Sequence, residues 1–120
     1  MTNSEFRFIC KHYHAQRAMF DEMNQALHAP ILQENIEKNP EVLARRKTAE
    51  VELGLLADNL YCCSKLFDHI EDICGPTARN AMWRIYVDRQ PYQDIAKDLN
   101  IPLRKLEMRL KGWKDQVGIS

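Results

Sequence analysis

The stretch YQDIAKDLNIPLRKL, residues 92–106, decides the fold of this chain of 120 residues. It predicts one helix over residues 92–99 and a tight turn at residues 100–102. It also contains the start of a second helix, which is predicted to cover residues 103–117. Apolar side chains occupy the positions that such a pair must bury: Ile95, Leu99, Ile101 and Leu106. Two short helices joined in this way form the arrangement of a helix-turn-helix.

Three other residues of this stretch suit the same motif. Ala96 falls where the two helices cross most closely, and a larger side chain there would force them apart. Asn100 falls in the turn, where a positive φ is often required and asparagine tolerates it better than most residues. Pro102 is suited to the first turn of the following helix, because its φ is already close to the helical value. Together they make the motif more specific than apolar spacing alone.

The N-terminal part of the chain has strong helical periodicity. A first helix carries an apolar series from residue 9 and is broken by Pro30, which lacks a backbone N–H. That series is Ile9, Tyr13, Phe20, Met23 and Leu27. Residues 29–39 are predicted to form a connection with one short helical turn around Ile36. A second helix starts at Pro40, with Asn39 as its N-cap, and is stopped by Gly75-Pro76.

The second helix carries a heptad seam of apolar residues spaced alternately by four and three. The seam is Ala49, Leu53, Leu56, Leu60, Cys63, Phe67, Ile70 and Cys74. It can pair with the first helix as an antiparallel hairpin, or with a second chain as a coiled coil. Both arrangements stay open from the sequence, and a paired stem is a common means of forming a homodimer, which is expected here.

The fold class is therefore predicted to be all-α. Residues 1–75 form a long helical hairpin or coiled-coil stem, and residues 76–120 form a three-helix helix-turn-helix module. The first helix of that module covers residues 76–87, with Ala78, Met82, Ile85 and Tyr86 available to face inward, and a turn follows at residues 88–91. No run approaches the ~18 apolar residues of a membrane helix, and residues 1–7 lack a signal-peptide pattern. A cytoplasmic protein without a membrane partner is expected.

Charge is unevenly distributed along the chain. There are 17 basic and 17 acidic residues in total, so the net charge is zero. Residues 1–75 hold eight basic and twelve acidic side chains, whereas residues 76–120 hold nine basic and five acidic ones. A surface that attracts phosphate is therefore expected in the C-terminal part.

The sequence offers little support for an enzyme or a metal site. It has no Gly-rich phosphate loop, nucleophile motif or obvious carboxylate pair. The four cysteines show no C-x-x-C spacing and are expected to be reduced thiols, with Cys63 and Cys74 at core positions. Cys10 and His14 share a helix face while His12 points elsewhere, and no further ligand follows at zinc-finger spacing. No catalytic residue, cofactor or metal is expected.

Three stretches of the C-terminal part resemble the fourth conserved region of bacterial sigma factors. They are ARNAMWRIYV (residues 78–87), YQDIAKDL (92–99) and IPLRKLEMRL (101–110). In length and architecture the whole chain is similar to the small phage transcriptional regulators of the RinA and ArpU type. The resemblance implies promoter-proximal binding of double-stranded DNA and the activation of phage genes.

The sequence departs from the sigma pattern at two positions. Asn100 stands where a glycine is usual, and Pro102 stands where a serine or threonine cap is usual. The chain also leaves no room for the sigma domain that melts promoters, so a complete sigma factor is not expected.

The phase of the last helix separates an inward from an outward face. Its inward stripe is Leu106, Leu110, Trp113 and Val117. At 100° per residue, the opposite face presents Arg104, Met108, Lys111 and Asp115.

Contacts with DNA are predicted for seven residues around this face. In a helix-turn-helix the N-terminal part of the second helix enters the major groove, so Arg104 is the candidate for a bidentate contact to guanine. Leu103 and Met108 are candidates for contact with a thymine methyl group. The residues assigned to phosphates are Lys105, Lys111 and Lys114, and Gln93 is assigned to a phosphate or the groove edge.

Some charged and aromatic residues have two interpretations. The sigma resemblance marks Arg109, but its phase is near the inward stripe, so an ion pair with Asp94 or Asp98 competes with a DNA contact. Trp113 on the inward stripe favours a core position over base stacking. The Arg-Arg-Lys run at residues 45–47 is either a solvated helix face or a secondary phosphate contact.

The sequence therefore predicts a sequence-specific DNA-binding transcriptional regulator of phage or mobile-element origin. Two alternatives stay open. One is a helix-turn-helix adaptor that binds a protein such as RNA polymerase, which the apolar Leu103 and Met108 would suit. The other is a phage DNA-packaging subunit, which also combines such a motif with an oligomerising stem.

Overall fold

A computed structural model describes residues 1–28 and 39–120 of the chain, and these residues form helices and connections without a strand. The five α-helices are α1 (Asn3–Leu27), α2 (Pro40–Cys74), α3 (Pro76–Met82), α4 (Tyr92–Asp98) and α5 (Leu103–Gln116). A π-helical turn, Trp83–Val87, continues α3. The prediction of an all-α fold with two long helices before a short helical module is confirmed. The helical turn predicted around Ile36 lies outside the described residues.

Side chains cap the starts of both long helices. The Thr2 hydroxyl accepts a hydrogen bond from the backbone N–H of Glu5 at 3.1 Å and lies 3.2 Å from the Glu5 carboxylate, to which it donates. This arrangement has the spacing of a capping box. At the start of α2, the side-chain oxygen of Asn39 accepts from the N–H of Glu41 at 3.0 Å, which confirms Asn39 as the N-cap.

The chain divides into two compact units by packing. The terminal unit comprises residues 1–13 and 62–120, and the middle unit comprises residues 14–61. The division therefore falls inside α1 and α2. The boundary expected from the sequence lies at residue 75, between the helical stem and the helix-turn-helix module. The first turns of α1 and the last turns of α2 thus pack with the short helices.

The terminal unit is built on a core that α1, α2 and the short helices share. Phe6 is fully buried, with its ring centroid 6.1 Å from that of Phe67 and 5.0 Å from that of Tyr86. Trp83 meets Phe67 edge-on at 5.0 Å and Tyr13 at 4.9 Å. The inward positions expected for the predicted helix at residues 76–87 are all buried: Ala78, Met82, Ile85 and Tyr86.

The seam of α2 is confirmed, and the inward face of α1 includes two residues that the expected series left out. Four seam residues are buried: Leu60, Cys63, Phe67 and Ile70. In α1, however, the fully buried side chains are Phe6 and Cys10, whereas Ile9 and Tyr13 pack only partly against the core. Phe6 faces Phe67 within one chain, so in the terminal unit α1 and α2 pair as an intrachain hairpin.

An arginine and a glycine set the junction between α2 and α3. Gly75 has φ 96°, a value that L-residues with a Cβ rarely adopt. Four residues later, the Arg79 guanidinium donates to the carboxylates of Asp68 at 2.7 Å and Glu71 at 2.8 Å. These two carboxylates raise the pKa of Arg79. Arg79 belongs to the sigma-like stretch, and its contacts here fix α3 on the end of α2.

The middle unit has a thin core. Among its described residues only Leu27 and Leu60 are buried. An open cavity of about 290 Å³ between α1 and α2 is lined mainly by apolar side chains, among them Met23, Leu27 and Val42. In the basic run at residues 45–47, Arg46 pairs with Glu50 at 3.0 Å across one helical turn, as on a solvated helix face.

Within the part of the chain that the structure describes, none of the helices combines the length and apolarity that crossing a bilayer requires.

The burial of Phe6 leads to a stability prediction. We expect Phe6→Ala to lower the free energy of unfolding by about 3–5 kcal/mol, because it removes a buried ring and leaves a cavity. Phe8→Ala, two residues along the same helix, removes a ring that is 64% exposed. We expect this control to change stability by no more than about 0.5 kcal/mol. Urea denaturation followed by circular dichroism measures both, and equal losses would contradict the assigned face of α1.

Candidate nucleic-acid interface

The turn between α4 and α5 has the backbone conformation that the sequence predicts for it. Asn100 has φ 55°, which confirms the positive φ predicted for this position. Next to it, the Ile101 N–H donates to the Ala96 carbonyl at 3.0 Å, which folds the chain back at the end of α4. Ala96 is buried at the crossing as expected, and Ile95 and Leu106 are fully buried.

Pro102 acts differently from the prediction. It was expected within the first turn of the second helix, but its φ of −62° and ψ of 149° are extended. Its carbonyl accepts hydrogen bonds from the N–H groups of Lys105 and Leu106 at 3.0 and 3.1 Å. Pro102 is therefore the N-cap of α5, and the helix begins at Leu103.

The connection between α3 and α4 is held by an arginine that the sequence did not single out. The predicted helix at residues 76–87 changes at Met82 from α to π geometry, and the Asp88 N–H donates to the Trp83 carbonyl at 3.0 Å. Arg84 then donates to the Gln90 side chain at 2.8 Å and to the Asp98 carboxylate at 2.6 Å. Arg84 thus ties the turn to the end of α4.

This contact also bears on one interpretation of Arg109. An ion pair of Arg109 with Asp94 or Asp98 was one of its two interpretations. In the structure Asp98 forms an ion pair with Arg84. Arg109 is exposed and forms no ion pair with any described residue. Of the two interpretations of Arg109, the ion pair is absent among the described residues, and the DNA contact stays a prediction.

The two faces of α5 follow the predicted phase. Leu106 and Leu110 are buried, and Trp113 and Val117 pack partly against the core, which confirms the inward stripe. On the opposite face Arg104 and Lys111 are exposed, as is Lys105 on its flank, and none of the three forms an ion pair or side-chain hydrogen bond with the described residues. On and beside this face, Met108 is 68% exposed and Leu103 is 38% exposed. Gln93 is also exposed, in the first turn of α4.

Lys114 does not join these exposed side chains. Its ammonium group lies 4.7 Å from the centroid of the Tyr86 ring and donates to the side-chain oxygen of Asn3 at 3.1 Å. Burial lowers the pKa of Lys114, and the nearby Arg7 lowers it further. Lys114 was assigned to a phosphate, and it is partly buried because α1 packs beside this flank of α5, so its contact with DNA stays a prediction. Lys114 links α5 to the start of α1.

The described residues contain no group of three potential metal ligands. Cys10 and Cys63 are both buried, and a thiol–thiol hydrogen bond raises the pKa of Cys10 and lowers that of Cys63. Cys63 therefore has the core position that the seam predicts, whereas Cys74 is only partly buried. The His12 ring lies 4.5 Å from that of Phe8 instead of facing a thiol.

The chain matches no protein-family model, no curated protein and no solved structure. Its function is therefore inferred from the side chains that α4, α5 and their neighbours expose.

The backbone at Asn100 leads to a second stability prediction. We expect Asn100→Gly to raise the free energy of unfolding by up to about 1 kcal/mol, because glycine adopts φ near 55° without steric cost. Asn100→Val should lower it by more than about 1 kcal/mol, since a β-branched residue is strained there. Thermal and urea denaturation measure both changes.

The same substitution inside a helix provides the control. Asn80 lies within α3, where glycine is a worse helix former than asparagine, so Asn80→Gly should be slightly destabilising. A loss of stability in Asn100→Gly would contradict the positive φ of the turn.

Proposed function

We propose that this protein is a sequence-specific DNA-binding transcriptional regulator that inserts α5 into the major groove. The observation that carries the proposal is the outward face of α5. Arg104 and Lys111 on this face, and Lys105 on its flank, are exposed and unpaired with the described residues, opposite a stripe that packs on the core. Exposed cations on a rigid helix that follows a tight turn are what a helix-turn-helix uses to bind DNA.

The position of each side chain along α5 supports a distinct role. Arg104 is in the first turn, the part of the second helix that reaches the base edges, and its guanidinium can bind the O6 and N7 atoms of guanine together. Met108, one turn further, is suited to the methyl group of thymine. Lys105 and Lys111 are suited to phosphates, which position a protein on the duplex without reading its sequence.

The net charge of the chain favours DNA binding through specific side-chain contacts over binding through general electrostatic attraction. The net charge is zero, so the general attraction to DNA is weak. Of the cations in the helix-turn-helix module, Arg79 and Arg84 are engaged by Asp68, Glu71 and Asp98. The charge available to DNA is concentrated on and beside α5.

Exposed apolar side chains in the middle unit support a homodimer. Val51 and Leu55, one turn apart on α2, are 65% and 61% exposed. A dimer would present two copies of α5 to two half-sites of one operator. The resemblance to phage regulators supports promoter DNA as the target and RNA polymerase as a further partner.

A second candidate function is a protein-binding adaptor. The exposure of Met108 and Leu103 favours it, because apolar side chains at the centre of a surface are typical of protein interfaces. An adaptor of this kind would use the same helix face to bind a subunit of RNA polymerase, with little dependence on salt.

Substitutions on α5 separate base recognition from charge. We expect Arg104→Ala to reduce the preference for the selected site by about 1–3 kcal/mol, roughly 5- to 150-fold. Arg104→Lys keeps the positive charge but loses the bidentate geometry, so it should lose the preference and keep most of the affinity for random duplex. Lys111→Ala should weaken binding to all sequences alike. Fluorescence anisotropy with selected and scrambled duplexes measures these effects.

The selected site comes from titration of the protein against a pool of random duplex DNA at low and physiological salt, with sequencing of the retained fraction. A recovered motif with affinity that falls steeply with salt supports the regulator, and a two-fold symmetric motif supports the dimer. Absence of retention at low salt would reject DNA binding. Loss of polymerase binding in Met108→Glu would then support the adaptor.

A further inference from the structure

A basic groove lies in the terminal unit, between the first turns of α1 and the segment of residues 85–92. Its volume is about 580 Å³, and three cationic side chains line it: Arg7, Lys11 and Arg89. The other lining side chains that define its walls are Phe8, Tyr86 and Tyr92, and no carboxylate is among the lining residues. The groove therefore presents positive charge on aromatic walls.

The three cations of the groove are not neutralised by ion pairs with the described residues. Arg7 and Lys11 are four residues apart, so they lie on one face of α1, and Arg89 approaches from the turn before α4. None of the three forms an ion pair with the described residues. Because like charges repel across a small gap, the arrangement is stabilised when an anion enters it.

A fourth cation, Lys114, lies over the Tyr86 ring, as Arg7 does. The Arg7 guanidinium is 6.0 Å from the centroid of Tyr86, and the Lys114 ammonium is 4.7 Å from it. The two side chains are close enough for Arg7 to lower the pKa of Lys114. Lys114 therefore adds a fourth positive charge on the α5 side of Tyr86.

The backbone at Arg89 adds to this picture. Arg89 has φ 59°, a left-handed conformation that costs about 1–2 kcal/mol for a residue with a Cβ. The Arg84–Gln90 hydrogen bond holds the adjoining residue in place. An arginine, rather than a glycine, occupies this strained position, and its side chain lines the groove.

The groove is continuous with the proposed DNA-reading surface. Tyr92 lines the groove and also the neighbouring depression, where Lys111 and Lys114 of α5 lie beside the carboxylates of Glu107 and Asp115. Tyr92 is the first residue of α4, and in a helix-turn-helix the first helix crosses the DNA backbone while the second enters the major groove. The groove begins where that backbone would pass.

We infer that Arg7, Lys11 and Arg89 bind consecutive phosphates of the DNA strand that flanks the major groove occupied by α5. The inference rests on the proposed function. It assigns the first turns of α1, far from the motif in sequence, to the DNA interface. The cations are spread along an open groove instead of enclosing a cavity, which suits a chain of phosphodiesters rather than one free nucleotide.

The test is the salt dependence of binding in the full chain. The double variant Lys11→Gln/Arg89→Gly removes two of the three cations and leaves Arg7, which contacts Tyr86, in place. Its slope of log affinity against log salt should be smaller by about two than that of the wild type. The preference for the selected site over a scrambled duplex should stay the same, because phosphate contacts do not read sequence.

Two features of the design keep unfolding from imitating this result. Arg89→Gly removes the strained φ, so it should leave the thermal midpoint unchanged or raise it while binding weakens. Arg17→Gln is the matched control: it removes a cation from α1 that pairs with Asp21 at 3.5 Å and does not line the groove. This control should keep the wild-type salt slope.

The outcomes separate the groove from the function on which it rests. If the double variant keeps the wild-type salt slope while Arg104→Ala loses site preference, the phosphate-binding role of the groove is rejected. The proposed DNA-binding function is then still supported. Absence of duplex binding by the wild type would overturn both. If deoxyadenosine monophosphate stabilises the wild type but not Lys11→Gln in a thermal-shift assay, the groove binds a free nucleotide and its assignment to the DNA backbone is wrong.

Discussion

The burial of Phe6 is the contact on which the terminal unit depends. Helices of 7 and 14 residues, such as α4 and α5, are too short to be stable alone, so their order comes from packing. Phe6 supplies that packing from the other end of the chain, between Phe67 and Tyr86. Tyr86 belongs to the π-helical turn that leads to α4. The contact of Phe6 with Tyr86 therefore also positions the two helices that follow this turn.

Charged side chains of the unit divide into those that hold helices together and those left for a ligand. Arg79 fixes α3 on α2, Arg84 fixes the turn on α4, and Lys114 links α5 to α1. Each has an oxygen partner within the protein. The exposed cations of α5 and those of the basic groove have no carboxylate partner among the described residues, and the proposed interface consists of them.

The sequence predicted those features that depend on regular spacing. The α2 seam, the inward stripe of α5 and the positive φ of Asn100 follow from helical phase or local backbone preference, and all three are confirmed. Phe6 was missed because the apolar series was counted from Ile9. The roles of Lys114 and Arg84 could not be predicted, since each depends on a neighbour that only the tertiary fold supplies. Whether the outward residues of α5 bind DNA stays a prediction.

The thin core of the middle unit has a consequence for motion. With only Leu27 and Leu60 buried among its described residues, little apolar burial opposes its separation into single helices. Local opening costs least where buried contacts are fewest, so backbone amides of residues 14–27 and 40–61 should exchange with deuterium before those around Phe67. Transient opening there would expose the inner side of the hairpin and leave the core of the terminal unit folded.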